Sequence, residues 1–324
     1  MTNLVAGYTE LIKEGLARLI QNDKPEGLYQ PIQYLMELGG KRIRPAITLM
    51  TAEAYDVPSE QAMPVALALE VFHNFTLMHD DIMDNAPLRR NQQTVHEKWD
   101  INTAILSGDG MMILAYQLLE KVDDKQYKAI MQLFNKTAIE VCEGQQFDMD
   151  FETMDNVEEE AYLNMIRLKT SVLVAACFQM GALLGNCPEH VQQSWYKFGE
   201  QLGLAFQLKD DWLDLFGDQE KVGKQVGGDV VANKKTYMLI HALKTANPQQ
   251  KNELVSWLNT SDNNEEKVHA VKKLFIELGT DKAILHKVEE YYKKALKELD
   301  TINLSDDRQE VFISFAAKLM GRKF

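Results

Sequence analysis

The chain has 324 residues, 45% of them hydrophobic and 26% charged, with a formal net charge of −13. That length holds one large domain or two ordinary ones around a sizeable core, and the composition is that of a soluble globular protein. The acidic excess speaks against a nucleic-acid surface, which needs a basic face, and the odd, widely spaced set Cys142, Cys177 and Cys187 fits reduced cytoplasmic thiols rather than a disulfide framework.

Helical periodicity begins at the N-terminus, where Leu4, Ile12, Leu16, Leu19 and Ile20 share a stripe. Glu10, Lys13, Glu14 and Arg18 interrupt that stretch, so no secretory leader is expected. A second helix is expected from about Leu28 to Leu38, stopped by Gly39-Gly40. The next has Pro45 in its first turn and ends near Val57-Pro58, after which Ser59 is expected to cap a long helix. Ala62 to Met78 is almost wholly apolar and reads as buried.

Ile101–Val122, Tyr127–Phe147, Glu158–Gly185 and Val191–Phe216 read as further long helices with broad apolar faces. Thr170 to Pro188 carries no formal charge, but its Gln179, Asn186, alanines and glycines suit a core helix better than a membrane span. Glycines and lysines between Gly217 and Asp229 mark a mobile loop. Shorter amphipathic helices follow at Ala232–Thr245, Gln249–Leu258, Glu265–Leu278, Lys282–Leu299 and Arg308–Met320. No two-residue alternation is sustained, so no sheet is expected. With no linker, repeat or low-complexity tract, residues 1–324 are expected to form a single all-α domain, one large helical bundle.

The chemistry concentrates at two acidic segments, each ending an apolar helix: His79-Asp-Asp-Ile-Met-Asp84 and Asp210-Asp-Trp-Leu-Asp214. Asp80 and Asp84, four residues apart, share a helix face, with Asp81 about 100° away. Like charges so placed destabilise a helix, several times more strongly near a core, unless cations neutralise them. A single such segment reads as a solvated helix end; two argue for metal held between helices. Oxygen ligands favour Mg²⁺, which keeps waters and takes a few carboxylates plus substrate phosphates.

Basic groups match the acids. Gly39-Gly-Lys-Arg-Ile-Arg-Pro45 places three cations next to two glycines that let backbone approach a diphosphate. On its own that stretch reads as a charged helix start. Arg89-Arg90, Lys169-Thr170, Lys224 and Lys234-Lys235 complete the set. Lys169 taken alone reads equally as a snorkelling surface lysine.

In this order, from about Leu28 to His241, these motifs resemble the trans-isoprenyl diphosphate synthases, the head-to-tail prenyltransferases that include farnesyl and geranylgeranyl diphosphate synthases. The resemblance implies an isoprenoid-synthase bundle with a central active-site cavity, usually a homodimer, without stable membrane insertion. It implies about three Mg²⁺ ions per site, with Asp80 and Asp84 on one side and Asp210 on the other. Asp81, Asp211 and Asp214 become supporting carboxylates, and Gln145 and Asp148 hold metal-bound water. Arg89, Lys169, Lys224 and Lys234 grip the allylic diphosphate; Lys41, Arg44, His73 and Arg90 hold isopentenyl diphosphate. Thr170 and Gln207 offer dipoles to the allylic cation, and pyrophosphate leaves without any protein nucleophile.

His73, two turns before Asp80, reads on its own as a core histidine. The family glycine after the paired arginines is replaced by Asn91, a residue that tolerates left-handed backbone. Phe75, with Thr76 beside it, lies about one turn upstream of Asp80 and is either core packing or the floor of the product cavity. As a floor it favours a C20 product, then C15. A class I terpene cyclase would carry a different second acidic motif and lack the Gly-Gly-Lys-Arg-Ile-Arg stretch. A non-catalytic partner subunit would have lost one aspartate cluster.

Overall fold

The computed structural model describes residues 6–19, 24–217, 227–260 and 264–321. Helices run in the order α1 (Ala6–Leu19), α2 (Glu26–Glu37), α3 (Ile43–Glu53) and α4 (Ser59–Met83), followed by a hairpin, β1 (Leu88–Arg89) and β2 (Gln92–Gln93). Then come α5 (Val95–Lys98), α6 (Ile101–Leu119), α7 (Asp124–Thr153), α8 (Glu159–Ile166), a π-turn (Arg167–Ser171), α9 (Val172–Leu184) and α10 (Glu189–Phe216). The remainder is α11 (Gly228–Val231), α12 (Tyr237–Thr245), α13 (Pro248–Leu258), α14 (Asn264–Glu277), α15 (Thr280–Asp300) and α16 (Asp306–Met320). The chain is all-α, as its periodicity requires.

The chain groups into two compact units, one from Met1–Asn135 and Ala176–Gln193, the other from Lys136–Ala175 and Ser194–Phe324. In the first unit α4 is buried nearly all round between Ala62 and Met78, which is why its sequence is apolar without a polar stripe. Phe72 and Phe134 are each 1% exposed and meet edge to face at 5.3 Å; each such ring contributes roughly 2–3 kcal/mol by burial. In the second unit Tyr162, Leu208, Leu215, Tyr237, Leu274 and Phe275 belong to one apolar cluster that draws α8, α10, α12 and α14 together.

Three expectations need correction. Ser59 does not cap α4: Pro58 occupies the N-cap, Ser59 is the first helical residue, and no side chain caps the end. The Glu158–Gly185 segment is not one regular helix, because the π-turn interrupts it at Lys169-Thr170. The hairpin is a strand pair where none was expected, two residues a side and too short for alternation to show. The apolar stretch Glu159–Leu184 is long and apolar enough to cross a membrane, but 78% of its most apolar window is buried within the protein.

Candidate active site

The first unit holds the first acids and five of the basic residues, Lys41, Arg42, Arg44, Arg89 and Arg90. The core helix α4 ends at Met83 with Asp84 as its C-cap, so the acids stand where the apolar run gives out. Asp81 is 2% exposed and turns into the protein, where Arg89 takes both its oxygens, Nε lying 2.9 Å from Oδ1 and 2.8 Å from Oδ2. Burial holds the Asp81 carboxyl above its usual range, against the pull of Arg89. Asp80 is half-buried and Asp84 exposed. The helix thus splits its own cluster into one committed carboxylate and two toward solvent.

Arg89 and Arg90 sit on the hairpin, whose pairs Leu88↔Gln93 and Arg89↔Gln92 leave a two-residue loop. Both loop residues are left-handed, Arg90 at φ 54° and Asn91 at φ 62°, as a type I′ turn requires. Asn91 therefore keeps the loop that a glycine would have made. Tyr34 Oη donates to the Gln93 carbonyl at 2.7 Å, tying the hairpin to α2, and Arg90 Nη1 donates to the Gly39 carbonyl. The room left by the glycines is taken by Arg90 itself: a Cβ on Gly40 would lie 2.9 Å from its Nη2.

The three cations of Lys41-Arg-Ile-Arg44 have different fates. Lys41 is exposed. Arg42, 5% exposed, turns inward to Glu70 and to the Met36 carbonyl. Arg44 Nη1 lies 3.1 Å from His73 Nε2, and its buried Nε has no hydrogen-bond partner. Burial, then Arg44, Arg90, Arg89 and Arg42, press the His73 pKa well below its ordinary value. A neutral His73 accepts from Arg44 through Nε2 and keeps its proton on Nδ1. Phe75, half-buried, packs at 5.7 Å against Phe72 and 4.8 Å against His79, while the Thr76 hydroxyl donates to the His73 carbonyl at 2.8 Å. His79 sits where Gly108 leaves space; a Cβ there would lie 2.2 Å from its Nε2.

The second unit gathers the remaining described residues around the π-turn. A Cβ on Gly144 of α7 would lie 2.2 Å from Lys169 N and 2.6 Å from its Cα, and one on Gly203 of α10 would lie 2.8 Å from Ser171 Cα. Glycines on two helices thus let the turn nest between them, and π-turns of this kind frequently mark functional sites. The turn delivers Lys169, whose Nζ lies 2.5 Å from Asp148 Oδ2, with Lys234 Nζ 3.4 Å from the same oxygen. Burial would raise the Asp148 pKa, but Lys234 and Lys169 outweigh it and hold the carboxylate below its usual range. Gln145, one turn earlier, is 9% exposed.

Thr170 donates to Gln207 Oε1 at 3.1 Å, Gln207 Nε2 donates to Asp211 Oδ1 at 3.0 Å, and Tyr162 donates to Asp211 Oδ2. Asp211 is 4% exposed, and burial with nearby Asp229 pushes its pKa up to about 7 despite Tyr162 and Gln207. Asp214 Oδ2 accepts from Asp229 N at 3.1 Å, capping α11, so these two carboxylates serve the protein. Asp210 is exposed. Lys235 turns away from Lys234 and donates to the Phe151 and Glu152 carbonyls at 2.7 and 3.0 Å, closing the end of α7. Lys224 lies outside the described residues. Tyr34 and Tyr162 carry no motif signal, and Arg42 and Lys235 stand in basic stretches without spacing telling their structural roles; burial and helix ends mark all four.

Among the described residues no group of three or more His, Cys, Asp or Glu forms a ready-made metal cage. Where Asp81 is drawn off by Arg89 and Asp211 by Tyr162, each acidic segment keeps only a partial carboxylate set. That donor set fits Mg²⁺, which completes its shell with water and phosphate oxygens.

The chain matches the polyprenyl synthetase family profile over residues 25–275. It is 41% identical over 235 residues to geranylgeranyl diphosphate synthase of Methanosarcina mazei, covering 72% of each chain. A crystal structure of a geranylgeranyl pyrophosphate synthase superposes with a TM-score of 0.94 at 46% identity over 100% of both chains. A polyprenyl synthase from Caulobacter crescentus CB15, complexed with calcium and isoprenyl diphosphate, superposes with a TM-score of 0.88 at 26% identity, covering 100% of this chain and 98% of that one. The chain belongs to the polyprenyl synthetase family: it is a trans-prenyltransferase, as the order of its motifs implies.

Proposed function

We propose that the chain works as one domain that condenses isopentenyl diphosphate with an allylic diphosphate, head to tail, and releases a C20 trans-prenyl diphosphate. The observation that carries this reading is the division of labour within each acidic segment. Asp81 and Asp211 are buried and bonded, while Asp80, Asp84 and Asp210 keep solvent-facing positions. Asp80, Asp84 and Asp210 would hold the Mg²⁺ ions, about three of them, which would supply Lewis-acid stabilisation to the departing pyrophosphate. Gln145 and Asp148 would hold water bound to the same ions.

Lys169 and Lys234, oriented by Asp148, join Arg89 and Lys224 on the allylic diphosphate and stabilise charge as the carbon–oxygen bond breaks. Because Thr170 donates its own proton to Gln207 Oε1, its oxygen lone pairs face the allylic cation unencumbered. Lys41, Arg44, His73 and Arg90 hold isopentenyl diphosphate. Neutral His73 has its Nδ1 proton to give, and Arg44 its buried Nε–H. The isopentenyl double bond then attacks the cation, and the proton lost from the adduct goes to the released pyrophosphate.

Phe75, braced by Phe72 and His79, floors the product cavity. Ile105, Leu106 and Ile113 of α6 stay 42%, 61% and 58% exposed, which supports the homodimer implied by the family. The thiols of Cys142, Cys177 and Cys187, none of them in a disulfide, suit a cytoplasmic enzyme. The test is incubation with Mg²⁺, isopentenyl diphosphate and the C5, C10 or C15 allylic diphosphate. All three primers are expected to converge on C20; a main product of another length removes the C20 assignment.

A further inference from the structure

Three backbone carbonyls converge on one buried ammonium in the second unit. Lys267 of α14 is 2% exposed, and its Nζ donates to the carbonyls of Val231 at 3.3 Å, Leu258 at 3.4 Å and Thr260 at 3.5 Å. Two of these are helix ends: Val231 is the last residue of α11 and Leu258 the last of α13, with Thr260 two residues further on. Carbonyls at a helix C-terminus lack intrahelical partners and carry partial negative charge, so one ammonium satisfies two helix ends together. Burial lowers the Lys267 pKa, and only such acceptors keep a lysine in this place.

What this knot holds is the segment that carries Lys234. Lys234 N donates to the Asp229 carbonyl at 2.8 Å, and Asn233 Nδ2 donates to the Leu258 carbonyl at 2.9 Å, beside Lys267. At its other end the segment is tied to α10, with Gly227 N donating to the Asp214 carbonyl at 2.8 Å. The same helix α14 braces α10: Lys272 Nζ donates to the Leu215 carbonyl at 2.9 Å. So α14 holds the backbone just past the second acidic segment, at Leu215, and in the segment that leads to Lys234, at Val231.

We propose that Lys267 is a positioning residue for the diphosphate grip, fixing α11 so that Lys234 meets the allylic diphosphate while itself touching no substrate. The inference rests on the assignment of Lys234 made above. Its test is steady-state kinetics of Lys267→Met, Asn233→Gly, Lys234→Gln and the Lys267→Met/Lys234→Gln double variant, with Lys273→Met on the exposed face of α14 as control. Asn233→Gly keeps the positive φ of 54° and removes only the side-chain tie.

Lys267→Met is expected to raise KM for the allylic substrate about tenfold and leave KM for isopentenyl diphosphate unchanged. Asn233→Gly should move the same constant by less, and the double variant should be no worse than Lys234→Gln alone. A further about tenfold loss in the double variant, an equal rise in both KM values, or wild-type kinetics in Lys267→Met overturns the inference. Should Lys267→Met fail to fold, Asn233→Gly paired with Lys234→Gln gives the same cycle. If Lys234→Gln leaves the allylic KM unmoved, the Lys234 assignment falls and the inference falls with it, a result distinct from additivity.

Discussion

Replacing Gly144 by Ala tests whether the π-turn is the mechanical centre of the second unit's site. The new Cβ would lie 2.2 Å from Lys169 N, 2.6 Å from Lys169 Cα and 2.7 Å from the Leu168 carbonyl carbon, all backbone atoms that have no rotamer to escape into. Restoring an ordinary contact requires the two backbones to part by about 1 Å. Overpacking of this kind costs about 1–3 kcal/mol, and the better helix propensity of Ala returns up to about 1 kcal/mol. The expected net loss of stability is therefore about 0–3 kcal/mol.

Activity should suffer more, because the displaced turn carries both Lys169 and Thr170, whose bonds to Asp148 and Gln207 span 2.5 and 3.1 Å. A misplacement of about 1 Å in a reacting constellation costs on the order of 10²-fold in rate. The assay pairs kcat with a thermal melt, and Gly110→Ala serves as control, since its Cβ would meet Leu28 at an ordinary 3.4 Å. A Gly144→Ala protein that melts near wild type and turns over at the wild-type rate refutes the reasoning.

Other outcomes follow from the same geometry. Arg42→Met leaves Glu70, 3% exposed, with only the Asn74 amide and no cation in the core and should cost about 3–5 kcal/mol in denaturant unfolding, whereas exposed Lys41→Ala should leave stability alone and raise KM for isopentenyl diphosphate. His73 is held neutral by burial and four arginines, so below pH ~6.5 the unfolded chain takes up a proton that the folded one refuses. Stability should accordingly fall with acidification through that range, and His73→Gln should flatten the slope in melts taken at successive pH values. Phe75→Ala removes the ring braced by Phe72 and His79 and should shift products to longer chains by chromatography; an unchanged distribution strips Phe75 of its limiting role.

Much of this architecture was legible from residue order, and the gaps have physical causes. An apolar run ending in acids locates the C-terminal end of α4, because only a buried helix needs such a run. Which acid turns inward is another matter: Asp81 and Asp80 differ by one residue, and the packing partner Arg89 arrives from a hairpin that no periodicity announces. Likewise Lys234 and Lys235 are equivalent in sequence until the end of α7 claims one of them. The π-turn was invisible because Arg167–Ser171 carries no breaker; its cause lies in Gly144 and Gly203, which are remote in sequence. Asn91 was readable, since a left-handed loop position selects a short list of residues.

The proposal that Asp80, Asp84 and Asp210 serve one Mg²⁺-bound diphosphate is put to the test by calorimetric titration of Mg²⁺ with inorganic pyrophosphate into wild type, Asp80→Asn/Asp84→Asn, Asp210→Asn and the triple variant. Either set of substitutions is expected to abolish Mg²⁺-dependent pyrophosphate binding, with the triple variant no worse than either. Undiminished binding in Asp210→Asn, or losses that simply add in the triple variant, would contradict it.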